Sequence, residues 1–86
     1  MKYFIFAVRD RAADVFGTPY YSVSRGSAIR GFSDEVNRRE PGNTLSAHPE
    51  DFDLYVLGTF DDAGGVFDVK SPEMIAVGKD FVKPIN

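Results

Sequence analysis

Phe52-Asp53-Leu54-Tyr55-Val56-Leu57-Gly58-Thr59-Phe60, then Asp61-Asp62-Ala63-Gly64-Gly65, then Val66-Phe67-Asp68-Val69, is the stretch that decides the fold. Two runs rich in β-branched and aromatic residues flank a five-residue loop with two glycines, which is the signature of a β-hairpin. Gly58, inside the first arm, marks a bulge or a close backbone approach. Antiparallel pairing is therefore expected.

Working outward, Lys2–Arg9 reads as a further strand. Tyr3, Ile5 and Ala7 alternate with Phe4, Phe6 and Val8, so both faces are apolar and the strand belongs at the centre of its sheet. Arg11–Val23 is irregular around Gly17 and Pro19, with Tyr20–Val23 briefly extended. Ser24 is a good N-cap, because its hydroxyl can accept from the free amides of a first turn. Ala28, Ile29, Phe32 and Val36 follow at helical spacing, and Asn37 can close the helix. Gly26 and Gly31 each cost about 1 kcal/mol in a helix interior, so packing must hold it. Arg38–Asp51 is a polar, mobile connection, and Pro72 begins a last segment in which Met74–Val77 forms an edge strand or a covering turn.

The expected fold class is α+β: a β-α-β-β order in one domain of residues 1–86, one helix on a small, mainly antiparallel sheet, and a C-terminal extra strand or turn. One helix covers one face of such a sheet. The second face of the first strand then awaits a homodimer partner, a ligand, or residues 74–82.

Composition bounds what such a domain can do. Its 86 residues leave no room for a second core, and it has no cysteine for disulfides or thiolate metal sites. Eight Phe and four Tyr must supply much of the burial, at about 1.5–3 kcal/mol for each ring fully covered. No apolar run approaches a membrane span, and Arg9, Asp10 and Arg11 end the first one too early for a signal peptide. The net charge of −3 divides unevenly. Residues 1–39 carry seven Lys/Arg against four Asp/Glu, a net +3, and residues 40–86 carry three against nine, a net −6. An acidic whole disfavours nonspecific duplex binding, yet it permits a local basic groove.

Enzymatic machinery is thin. His48 is a lone histidine in a loop, Asp61-Asp62 lacks calcium-loop spacing, and there is no Gly-x-Ser-x-Gly, phosphate loop or dinucleotide fingerprint. No catalytic residue, metal or cofactor is expected. The helix start is richer. Ser22, Ser24, Arg25 and Ser27 surround the first-turn amides, which either hold a phosphate or simply cap the helix. Arg30 is placed to pair with Asp34, and Arg38-Arg39 to complement the negative helix end. Tyr20 and Tyr21 precede this group, and aromatics beside cations are how single-stranded nucleic acid is commonly held. The candidate nucleic-acid-binding residues are Tyr20 and Tyr21 for stacking, with Arg9, Arg11 and Arg25 for phosphate.

Two blocks carry a resemblance. The first runs Pro19-Tyr20-Tyr21, Ser24-Arg25-Gly26-Ser27-Ala28-Ile29-Arg30 and Phe32-Ser33-Asp34-Glu35-Val36-Asn37; the second runs His48-Pro49-Glu50-Asp51 into Leu54-Tyr55-Val56-Leu57-Gly58-Thr59-Phe60-Asp61-Asp62. With the aromatic first strand ending in Val8-Arg9-Asp10, the chain resembles the small nonstructural protein of gokushovirus-type microviruses, bacteriophages with single-stranded DNA. The resemblance implies a protein of the infected bacterium's cytoplasm, absent from the virion and tied to production or handling of viral DNA. It transfers no residue-level site. The expectation is a non-enzymatic replication accessory factor, homodimeric, that contacts single-stranded DNA. The alternative is a module that binds the phage replication initiator, a capsid precursor or a host replication enzyme without touching DNA.

Overall fold

A computed structural model describes residues 1–84. Strand β1 (Lys2–Asp10) is followed by two short strands, β2 (Val15–Phe16) and β3 (Tyr20–Ser22). Helices α1 (Arg25–Val36) and α2 (Thr44–Ala47) come next, then the hairpin of β4 (Phe52–Asp61) and β5 (Val66–Val77). Single 3-10 turns cover Pro49–Asp51 and Gly78–Phe81. No helix among the described residues is long and apolar enough to cross a membrane.

All pairings are antiparallel. β1 lies between β4 on one side and β2 and β3 on the other, and β5 forms the far edge. The doubly apolar first strand is thus central, as its sequence demands. The α+β class holds, but the β-α-β-β order needs correction, because two strands precede the helix. Their cause is local. The Asp10 carboxylate accepts from the amides of Ala12 and Ala13 (3.0 and 3.2 Å), which reverses the chain. The Gly17 amide then donates to the Val8 carbonyl at 2.8 Å. Pro19, which lacks a donor, splits what would otherwise be one edge strand.

The C-terminal extra piece is likewise the continuation of β5, carried past Pro72 by an irregularity opposite Val56–Gly58. Gly58 meets both expectations. Its φ is +154°, and a Cβ there would lie 2.2 Å from the Asp68 carbonyl oxygen. The polar 38–51 connection is tied to its neighbours by hydrogen bonds. Asn43 donates to the Glu35 and Arg38 carbonyls, and the Arg11 amide donates to Asp51 at 2.8 Å.

The core forms where α1 crosses the sheet. Ser24 caps the helix, its hydroxyl accepting from the Ser27 amide at 3.0 Å. Ala28, Phe32 and Val36, one turn apart, pack on Phe6, Leu54, Val56 and Ala76, with Ile29, Leu45, Ile75 and Phe81 around them. Ile75, Ala76 and Phe81 therefore join the helix side and leave most of the second sheet face open. Asn37 locks this arrangement. Its amide group donates to Ser33 and Phe81 carbonyls (2.8 and 2.9 Å) while its side-chain oxygen accepts from the Lys83 amide at 2.9 Å.

Candidate nucleic-acid interface

Cross-strand partners share a face in an antiparallel sheet. The register sets Tyr3 opposite Phe60, Ile5 opposite Gly58 and Tyr21, Ala7 opposite Tyr55, and Arg9 opposite Asp53 and Phe16. Beyond β4 lie Phe67, Val69 and Met74, opposite Phe60, Gly58 and Tyr55. All of these sit on the face away from α1. Six aromatic rings thus share one side of the sheet with no helix over them.

The rings form two groups. At the hairpin end, Phe60 contacts Phe67 (centroids 4.7 Å apart) and Tyr21 (6.0 Å, edge-on), and Tyr3, Tyr21 and Phe60 line a shallow cavity of about 330 Å3. At the other end, Phe16 meets Tyr55 edge-on at 5.1 Å, with the Arg9 guanidinium 5.8 Å from the Phe16 centroid. Four residues of β1 separate the groups, about 13 Å. Ile5 and Ala7, between them, are buried. Tyr21 and Phe67 stay more than half exposed, at 52% and 56%.

The charged groups follow the second cluster. Arg9 pairs with Asp14 at 2.5 Å, which, with a hydrogen bond to Tyr55, holds its pKa above the ordinary value. Arg11 pairs with Asp53 at 2.7 Å and donates to the Glu50 carbonyl. Asp53 is buried, and its other oxygen has no partner. Arg11, Asp53, Tyr55, Met74, Val77 and Lys79 line a second depression of about 350 Å3. Five carboxylates stand elsewhere: Asp34 and Glu35 on α1, and Asp10, Asp61 and Asp68 at strand positions of the opposite parity.

The residues expected to bind nucleic acid are not brought together as one group. Arg9, Arg11 and Tyr21 belong to the open face. Tyr20, its chain neighbour, turns to the helix side, 6.0 Å from the Phe6 ring, where burial raises its pKa. Arg25 is also on the helix side, 5.7 Å from the Phe4 centroid and 3.5 Å from Glu73. Ser24 is occupied as a cap. The expected Arg30–Asp34 pair does not form among the described residues, and Arg38 instead binds Glu35 through two 2.9 Å contacts and Glu40 at 2.6 Å. Arg39 donates to the Lys83 carbonyl and, at 3.5 Å, to the Asn37 side chain at the helix C-cap.

Sequence reasoning left Tyr3, Phe16, Tyr55, Phe60 and Phe67 out of the candidate site, although it expected an uncovered face on the first strand. The signal for them was the double-sided apolar pattern of β1, which requires that one set of rings stand opposite the helix. His48, Glu50 and Asp51 also cluster, their ligand-capable atoms within 4.8 Å, but the His48–Glu50 contact is exposed and 3.7 Å long.

The chain is similar to known phage proteins. Residues 3–81 match the model of the family described as Phage ORF5 protein. Protein ORF5 of Chlamydia phage 1 is 36% identical over 69 residues, covering 78% of this chain and 72% of that relative. No solved structure matches the chain. A match along nearly the whole described fold, from β1 to the last 3-10 turn, makes this chain a member of the Phage ORF5 protein family.

Proposed function

We propose that this protein is a non-enzymatic accessory factor of phage genome replication, acting in the host cytoplasm, that holds single-stranded DNA on the open face of its sheet. The observation that carries this reading is the set of six aromatic rings on that face, in two groups about 13 Å apart. Bases stack on such rings at about 1–3 kcal/mol each, and every base offers a π-face. Tyr3, Tyr21, Phe60 and Phe67 take one base; Phe16 and Tyr55 take another. Arg9, Arg11 and Lys79 meet the phosphates beside the second group, facing two carboxylates, Asp14 and Asp53. This face is therefore the less acidic side of an acidic protein.

The test is fluorescence anisotropy of a labelled strand of about thirty nucleotides, a length that spans several stacking sites, at low and near-physiological salt. Binding that weakens with salt and is lost in a folded Tyr21→Ala, Phe67→Ala double variant supports the reading. Equal binding by that variant removes it.

Self-association is favoured by a separate observation. Val66, Phe67, Val69 and Met74 on the edge strand β5 are all more than half exposed. Two open faces packed together would make a homodimer and cover the rings. Dimerisation and DNA binding then compete, and sedimentation with and without oligonucleotide separates them.

A further inference from the structure

The helix side carries a second concave surface, away from the aromatic face. A groove of about 580 Å3 runs between α1 and β3, with Val8, Tyr20, Ala28, Gly31, Phe32 and Leu45 as its apolar lining and Tyr21 at its β3 margin. Ser22 and Ser27 edge it, and Asp34 and Glu35 lie at its helix rim. Its width comes from Gly31, where a Cβ would meet nothing within 4 Å. β3 pairs only with β1 among the described residues, so its outer edge offers unpaired backbone donors and acceptors. Glu35 is engaged by Arg38, but Asp34 has no ion pair among the described residues.

We propose that this groove docks an extended segment of a protein partner, with one apolar side chain at its centre and Lys or Arg beside it. The segment's backbone adds to the β3 edge, as in strand-addition recognition generally. Its apolar side chain enters between Tyr20 and the Ala28–Gly31 step, and its cation meets Asp34 in a charge-assisted contact. In a second copy the exposed arm of β5 sets Val69 beside Lys70 but also carries Asp68, and the oligomeric state of the variants below separates that occupant from a partner segment. The groove and the open face together would let one molecule hold DNA and a partner at once.

A displayed library of random dodecapeptides, selected on the immobilised protein, tests the proposal. The expected consensus is an extended peptide with an apolar residue flanked by Lys or Arg. That peptide, fluorescently labelled, binds Gly31→Leu and Asp34→Lys about tenfold or more weakly. Gly31→Leu fills open space and removes a helix glycine, so its melting temperature does not fall. Gly31→Leu, which changes no charge, binds the single strand as the parent does, which keeps this site's test separate from that of the aromatic face. Selection of no peptide, of acidic peptides, or of peptides indifferent to Gly31→Leu overturns the proposal. So does a parent dimer that Gly31→Leu turns into a monomer, since the groove would then belong to a second copy.

Discussion

Tyr20 and Tyr21 are neighbours in the chain and stand on opposite faces of the sheet. Tyr20 lies across from Phe6 on the helix side, and Tyr21 lies across from Ile5 on the open side, its ring 6.0 Å from Phe60. The pair, which in sequence suggests one stacking site, serves two surfaces.

The two tyrosines should therefore separate on mutation. Tyr21→Ala leaves the melting temperature nearly unchanged and weakens single-strand binding roughly five- to a hundredfold, the loss of one stacked base. Tyr20→Ala removes a half-covered ring from the core margin and costs about 1–2 kcal/mol of stability. It leaves strand binding intact and weakens the groove peptide. Thermal denaturation and anisotropy on the two variants check this.

Two glycines should respond in opposite directions to alanine. At Gly58 the positive φ and the Asp68 carbonyl leave no room for a Cβ, so Gly58→Ala costs about 1–3 kcal/mol or more. At Gly31 the space is open, and Gly31→Ala stabilises by about 0.5–1 kcal/mol through helix propensity. Urea denaturation of both resolves the sign.

Asn37→Ala releases two hydrogen bonds that tie the end of α1 to Phe81 and Lys83, and a third to Ser33 within the helix. A loss of about 1–3 kcal/mol is expected, with faster amide exchange at Lys83 than elsewhere. Uniform acceleration across the domain would contradict the local role.

The Glu35–Arg38 pair sets a pH dependence. Hydrogen bonding from Arg38 lowers the Glu35 pKa below 4.5, so its contribution to stability is complete above that pH and disappears as pH falls through the lowered value. The pair is exposed, so the effect is small. The difference between parent and Glu35→Gln is flat from pH 5 to 8 and closes below pH 4.5.

Periodicity and capping made much of this fold legible. Ser24, the Ala28–Phe32–Val36 stripe, Asn37 and the hairpin around residues 61–65 stand where local chemistry puts them. What escaped depended on partners distant in sequence. β2 forms because Asp10 turns the chain back on β1, and two residues carry too little pattern to announce a strand. β5 runs on past Pro72 because an irregularity lets the chain continue along β4. The site was legible only in part for a related reason. Tyr21, Arg9 and Arg11 belong to the open face, but alternation alone leaves open which face of β1 the helix covers. The rings on the other face were therefore left out of the candidate site.

The central position of β1 has a consequence for how the protein is made. β1 leaves the ribosome before its principal partner, β4, which lies some fifty residues later (Phe6 pairs with Val56). At ordinary translation rates that gap lasts about 3–10 s. During it, only β2 and β3 are available to occupy one edge of a strand that is apolar on both faces. The short strands before the helix thus act as a temporary guard against aggregation, and their removal would lower the soluble yield of the protein before it altered the stability of the finished fold.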